Sequence, residues 1–550
     1  MRDIVCRNST ICLLALLCAG SVLWGQGEPA QVAGIVVDAA NGSPIRKAYV
    51  SLSTAEDNPA EALAITDGSG QFGFANVPPG RYRLNAQSDG YQEAWYGAPT
   101  PDHAPGVMLL SPGEKRQDFA LRMISLGAIS GAVLDQDGDP LDGAIVSLWM
   151  PWFQRGKPGF AQSGATTTND RGEYRIPDVV PGRYVVMVNG MGRQAIQIQP
   201  ESVASAEPVD RQSQPHYGFQ YFSATERLAE ASLLTIPASK EIEGIDFHLV
   251  AHSPVTLRGE VLLPVELPPD VFIQVAGISL DTPDHSQLMI AAGAGPPKYE
   301  FVTSGVSPGE YLLVANVSVG GRTYRGVQRI LVNASGENHA TLKLEPGIDL
   351  AGTVKIEGGR PDAETHVILT SGDAIPYDNA APQGHLKADG HFVIQDVLAG
   401  IWDIDVQPIP EGGYIKSMRL GSRDVLSEDM VIASDTAGPL NIVVSTHGGI
   451  VEGDVKTDSG ESAGPAKVLA APDGKYSHVL SFYNLGNADE KGHFRLKGLT
   501  PGRYKLYAFE ALKYCAWCDP DFLKPLAGQG ETIQITEGVN SSTEVRLIHR

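Results

Sequence analysis

Short runs in which apolar and polar residues alternate recur along the whole chain, the pattern of strands with one buried face, and no helical periodicity of useful length interrupts them. Five runs carry a glycine in the same place: Val32-Ala33-Gly34-Ile35-Val36, Ile129-Ser130-Gly131-Ala132-Val133, Leu257-Arg258-Gly259-Glu260-Val261, Leu350-Ala351-Gly352-Thr353-Val354 and Val451-Glu452-Gly453-Asp454-Val455. Glycine weakens a strand unless a bulge or a close backbone approach requires it, so this recurrence predicts a structural demand at that site. Second strands follow at Ala48-Tyr49-Val50-Ser51-Leu52 and Ala144-Ile145-Val146-Ser147-Leu148. Hairpin corners rich in Asp, Asn and Gly then lead into aromatic strands at Phe72, Tyr174, Phe392 and Phe494, and the third copy departs with Gly295-Pro296-Pro297-Lys298-Tyr299.

The next corner is the most repetitive feature. It reads Val77-Pro78-Pro79-Gly80-Arg81-Tyr82, Val179-Val180-Pro181-Gly182-Arg183-Tyr184, Val306-Ser307-Pro308-Gly309-Glu310-Tyr311, Val397-Leu398-Ala399-Gly400-Ile401-Trp402 and Leu499-Thr500-Pro501-Gly502-Arg503-Tyr504. Proline presets φ for a tight turn, and the glycine is expected to supply a positive φ. The five aromatic positions lie 102, 127, 91 and 102 residues apart, which is domain size rather than a solenoid period. The expected architecture is all-β: a tandem array of about five Greek-key, transthyretin-like β-sandwich domains. Expected boundaries are 28–124, 125–251, 252–348, 349–446 and 447–550, after a leader over 1–27, with residues 201–214 as a polar excursion.

Composition changes the picture in three places. The 550 residues carry a formal charge of −22 and no basic stripe, which excludes a nucleic-acid binder. Arg2 and Arg7 precede an apolar run over 11–24, too short to span a bilayer comfortably but suited to a cleaved export signal, so no membrane span is expected after its removal. Leu17 precedes Cys18, which does not fit a lipid-attachment site. Cys6, Cys12 and Cys18 leave with the leader, so the mature chain keeps Cys515 and Cys518.

The combination of Gly-x-Val-x-Asp in the first strand, Thr66-Asp67-Gly68-Ser69-Gly70-Gln71-Phe72 and Val77-Pro78-Pro79-Gly80-Arg81-Tyr82 resembles the carboxypeptidase regulatory-like domain. The resemblance is clearest over 31–86, 127–188 and 449–509. It implies a prealbumin-like sandwich grouped with carbohydrate-binding-like folds and with adhesin repeats, in exported multi-repeat proteins where the domain is non-catalytic. The lysine that forms isopeptide crosslinks in those adhesins has no counterpart, since Ile35, Val133 and Val261 occupy the first strands.

Catalytic and metal chemistry find little support. None of the thirteen histidines has a glutamate three residues on, so the zinc site of a metallocarboxypeptidase is not expected. Gly305-Val306-Ser307-Pro308-Gly309 matches a nucleophile elbow in letters, yet it leads from strand to strand. Asp135-Gln136-Asp137-Gly138-Asp139 begins like a calcium loop, but Pro140 and Val146 replace the residues such a loop needs. Cys515-Ala516-Trp517-Cys518 has redox spacing outside any β-α-β context, so a local disulfide is the expectation. No cofactor or metal is expected.

Aromatic groups remain as candidate ligand contacts: Trp95 and Tyr96 beside Tyr91, Trp149 and Trp152 beside Phe153, and Tyr221 beside Tyr217 and Phe222. Such rings stack on sugars, or they seal one domain to the next. The function expected is an exported, non-enzymatic binding or scaffold protein whose partner is a polysaccharide or a cell-envelope protein. The alternative is an accessory of an extracellular enzyme system, or a disulfide-active protein using Cys515 and Cys518. An outer-membrane receptor is not expected, because its amphipathic ten-residue barrel strands are missing from the pattern.

Overall fold

The computed structural model describes residues 28–55, 62–154, 156–190, 216–252, 255–268, 271–283, 287–292, 298–362, 364–371, 382–433, 436 and 438–549. The expected leader with Cys6, Cys12 and Cys18, the excursion at 201–214 and the Gly295-Pro296-Pro297 corner lie outside them. Among the described residues there is no α-helix, only strands and short 3-10 turns.

The strands form successive two-sheet sandwiches, and in the fifth unit the two sheets are joined into one where Gly502–Phe509 pairs in parallel with Asn540–Ile548. In the first unit, one sheet orders Gln71–Val77, Ala30–Asp38 and Lys115–Met123, and the other orders Ala62–Ile65, Tyr49–Thr54, Gly80–Gln87 and Ala94–Trp95, with Met108–Leu110 also paired to Gly80–Gln87. Val32, Val36, Val50, Leu52, Phe72, Tyr82, Leu84, Phe119 and Leu121 fill the space between the sheets. Comparable cores recur in the other units. The first strand runs antiparallel to the aromatic strand and parallel to the closing strand in every unit, so each sandwich contains a mixed sheet.

The repeated first-strand glycine has a direct cause. Gly34, Gly131, Gly259, Gly352 and Gly453 lie opposite Phe72, Tyr174, Phe301, Phe392 and Phe494. A Cβ at Gly34, Gly259, Gly352 or Gly453 would meet the facing ring on one side and the backbone of the parallel closing strand on the other; at Gly131 it would meet the Ile245 carbonyl. In the third unit the facing ring belongs to Phe301, eight residues before Gly309 as Phe72 is before Gly80; Tyr299 pairs Val261 instead.

The Pro-Gly corner works differently from its expected turn. Gly309, Gly400 and Gly502 have φ of 150°, 153° and 157°, whereas Gly80 and Gly182 do not have positive φ and open the strands Gly80–Gln87 and Gly182–Asn189. The left-handed residue sits four positions earlier, at Asn76 (60°), Asp178 (55°), Asp396 (54°) and Gly498 (74°), where the ladder to the first strand slips register. Asn, Asp and Gly are the residues that tolerate this conformation. The corner is then closed by its aromatic residue, which donates to the carbonyl four residues back: Tyr82 to Pro78 at 3.0 Å, Tyr184 to Val180 at 2.6 Å, Tyr311 to Ser307 at 3.1 Å and the Trp402 indole to Leu398 at 2.9 Å. Burial raises the hydroxyl pKa of Tyr184, and that of Tyr311 and Tyr504 to about 12.

Candidate functional site

The expected aromatic residues share a topological position. They lie on, or pack against, the segment that follows the strand after the Pro-Gly corner, at 88–107 in the first unit, 216–233 in the second and 510–530 in the fifth. What that loop covers differs from unit to unit.

In the second unit it folds back over its own sheet. Trp149 (5% exposed), Val185 and Met187 lie on the outer side of the sheet, beneath Tyr221 (0% exposed), Phe219, Leu228 and Ala231. The Trp149 indole donates to Ser147 Oγ at 2.8 Å, and the Tyr221 hydroxyl donates to the Asp281 carbonyl at 2.6 Å, tying the second unit to the third. Burial of this kind removes Trp149 and Tyr221 from any ligand surface. In the fifth unit the loop likewise covers its sheet, with Leu512, Leu526, Trp517, Phe522 and Leu523 over Leu469, Ala471, Tyr507 and Phe509. Cys515 and Cys518 are joined by a disulfide within it, spanning the 3-10 turn Ala516–Cys518. Cys518 is buried, and Cys515 has a left-handed backbone (φ 59°) rather than the start of an α-helix that would lower a thiol pKa.

This fifth-unit loop also reaches the first two units. Leu512 N donates to the Asp102 carbonyl at 2.7 Å, Ala511 bridges His103, and Lys467 Nζ donates to the carbonyls of Leu512 (3.1 Å) and Pro101 (3.4 Å). Desolvation holds the Lys467 ammonium below its usual pKa, against a smaller opposing pull from Asp102. Trp152 stacks on Tyr514 with ring centroids 6.1 Å apart and planes 21° apart, and Tyr514 meets Trp517 edge-on at 5.9 Å. Trp152 is therefore a seam residue. Between the fourth and fifth units, Lys416 Nζ contacts Glu357 at 2.8 Å and Glu537 at 3.1 Å, and Ser445 Oγ donates to Glu537 at 2.6 Å; these bonds hold the Glu537 carboxyl below its ordinary pKa.

The first unit's loop behaves differently. Gln92 N and Leu126 N hydrogen-bond across to Ile124 and Gly90, so the loop grips the connection to the second unit. Tyr96 turns inward and packs edge-on against Phe119 at 5.0 Å. Trp95 stays half-buried on the outer face of the sheet, paired with Asn85. Sequence reasoning missed Tyr514 as the partner of Trp152. The signal was Ala516-Trp517-Cys518 standing where the first unit has Ala94-Trp95-Tyr96, which marks the two loops as equivalents.

Catalytic and metal motifs resolve into turns. Asp135 Oδ1 accepts from Asp137 N and Asp139 N at 2.9 Å each, bonds that lower its pKa and close the turn on itself. Ser307 is buried on the corner, and its Oγ has no hydrogen-bond partner to act as a base. Among the described residues no group of three or more His, Cys, Asp or Glu could hold a metal ion, and no helix is long and apolar enough to cross a membrane.

Residues 31–122 and 128–212 each match the carboxypeptidase regulatory-like domain family. No curated protein matches the chain. Among solved structures, the Bacillus anthracis TIE protein is similar at 13% identity over 58% of this chain and 51% of that one, with a TM-score of 0.17. The minor pilin of Streptococcus agalactiae is similar at 17% identity over 40% of this chain and 96% of that one (TM-score 0.22), and the major pilin subunit of Bacillus cereus at 10% over 76% and 100% (TM-score 0.16).

Proposed function

From a chain that carries two carboxypeptidase regulatory-like domains in tandem, we propose an exported, non-enzymatic scaffold of the cell envelope in which five sandwich units, bounded as 28–124, 125–251, 252–348, 349–446 and 447–550, are held in a fixed arrangement. One observation carries the reading: the fifth unit's disulfide-closed loop spends its aromatic and backbone groups on the first and second units, through Tyr514 on Trp152 and Leu512 on Asp102. Trp152 is committed to this seam, and Trp149 and Tyr221 are buried together in the second unit. Export is supported by the basic and apolar pattern of the first 27 residues. Intact-mass analysis of the secreted protein tests it: a start near Gln26 to Glu28 without acyl mass is expected, and a lipid-bearing Cys18 start overturns it. Carbodiimide coupling of the mature protein tests the fixed arrangement, with a Lys467–Asp102 crosslink expected and its absence counting against closure.

A finer reading, that the scaffold also binds envelope polysaccharide, is favoured by one observation. Trp95 lies half-buried on the outer sheet face of the first unit, whereas Tyr96 packs into the core, Trp149 and Tyr221 are buried together and Trp152 meets Tyr514. The disulfide-active alternative is less favoured, given the buried Cys518 and the missing helix N-terminus.

A further inference from the structure

The outer faces of equivalent sheets differ in kind. In the second and fifth units the outer positions of the central strands are apolar, at Trp149, Val185 and Met187 and at Leu469, Tyr507 and Phe509, and each unit's loop covers them. In the first unit the corresponding positions are polar, and the loop has gone to the neighbouring connection and to the fifth unit. Val50, Leu52, Leu84 and Ala86 face the core, so Tyr49, Ser51, Asn85 and Gln87 face outward.

These outward groups are ordered rather than merely solvated. The Ser51 hydroxyl donates to Asn85 Oδ1, and the Asn85 amide donates to Glu93 Oε1. Gln87 Nε2 donates to the same Glu93 oxygen at 2.9 Å. Asn85 is only 6% exposed, locked beneath its neighbours. Apolar groups flank this network on both sides. Tyr49 (60% exposed) lies on one adjacent strand with Ile65 (60%) and Leu63 (71%) beyond it, and Trp95 lies on the strand at the other side. The strands of Tyr49 and Trp95 are separated by one strand, so their rows stand roughly 10 Å apart.

We propose that this face, Tyr49 and Trp95 on either side of Ser51, Asn85, Gln87 and Glu93, binds a neutral polysaccharide. The assignment rests on the polysaccharide reading above and names its site. Sugar rings present an apolar C–H face that packs on aromatic rings and an equatorial rim of hydroxyls that donate and accept. The Gln87 amide donates and the Glu93 carboxylate accepts, and buried Asn85 holds that carboxylate from beneath, so neither group needs to reorganise, which lowers the ordering cost of binding. Glu93 at the centre and the chain's formal charge of −22 disfavour anionic glycans over the network; Arg83 and Arg81 lie farther along the same strand, toward the Pro-Gly corner.

Affinity electrophoresis of the mature protein tests the proposal, in gels containing hydroxyethylcellulose, galactomannan or arabinoxylan, and in gels containing the acidic alginate. Retardation by at least one neutral polymer and not by alginate is expected. Trp95→Ala and Tyr49→Ala should each weaken it about tenfold or more, as loss of a central anchor does, and Glu93→Gln should weaken it less. Tyr49 is mostly exposed, so Tyr49→Ala keeps the test valid should Trp95→Ala unfold the unit, and Trp152→Ala at the seam should leave retardation unchanged. Retardation that survives both Tyr49→Ala and Trp95→Ala overturns this site while the polysaccharide reading stands. No retardation by any polymer overturns both, and retardation by alginate alone overturns the neutral ligand.

Discussion

Trp152 of the second unit stacks on Tyr514 of the fifth, with ring centroids 6.1 Å apart, so the far end of the array returns to its beginning. A double-mutant cycle with Trp152→Ala and Tyr514→Ala should give a coupling of about 0.5–1.5 kcal/mol in the unfolding of the mature chain, the contribution of an aromatic pair beyond its buried area. Additive effects would mean that the rings do not meet in solution.

The corner predicts a reversal of the usual expectation for Pro-Gly turns. Asp178, not Gly182, holds the left-handed conformation. Asp178→Val should destabilise the second unit by about 1–2 kcal/mol, and Asp178→Gly should cost little. Tyr184→Phe should cost about 0.5–1.5 kcal/mol by deleting the bond to the Val180 carbonyl. Thermal unfolding reads all three.

First-strand glycines admit no side chain. Gly453→Ala would press a methyl group against the Thr543 carbonyl and the Phe494 ring, and should destabilise the fifth unit by about 1–3 kcal/mol or more. Gly460→Ala, at an open turn with nothing near a built Cβ, should cost less, although its φ of 84° carries some strain. Equal losses in the two variants would contradict the close approach.

Alkaline stability follows from the corner tyrosines. Burial raises the folded pKa of Tyr311 and Tyr504 from the ordinary value of 10.0 to about 12 and also raises that of Tyr184, so folding favours the neutral phenol. Their contribution is full below pH 10 and is lost as pH climbs toward about 12. The phenolate absorbance of the corner tyrosines should therefore appear only above pH 10, together with unfolding. Full ionisation of Tyr184, Tyr311 and Tyr504 by pH 10 with the fold intact would count against the buried corner.

Much of the fold was legible because its demands are local. A glycine that must pass under a ring recurs as Gly34, Gly131, Gly259, Gly352 and Gly453, and a corner closed by its own aromatic recurs as Tyr82, Tyr184, Tyr311, Trp402 and Tyr504. The third unit's ring is hidden because its hairpin letters, ending in Lys298-Tyr299, depart from the others, although the eight-residue spacing to Gly309 points to Phe301. The left-handed residue was hidden by its variety, since Asn76, Asp178, Asp396 and Gly498 share a conformation and not a letter.

The candidate site was legible only as a set of aromatics. Whether a ring faces ligand or a neighbouring unit depends on where a loop folds, and nothing within the 88–107 segment distinguishes a loop that covers its sheet from one that leaves it. Trp149 and Trp152 lie on the same strand, yet one is sealed under Tyr221 and the other meets Tyr514. Contacts between units so distant in sequence leave no periodic trace. Tyr49 and Glu93 gain their significance only when strand pairing sets them beside Asn85.

Small-angle scattering from the mature protein tests the closed scaffold most directly. The closed arrangement predicts a compact pair-distance distribution for the wild type, and an extension of its maximum dimension when Trp152→Ala and Tyr514→Ala are combined. A wild-type profile already as long as five sandwich units laid end to end, unchanged by the double substitution, would contradict it.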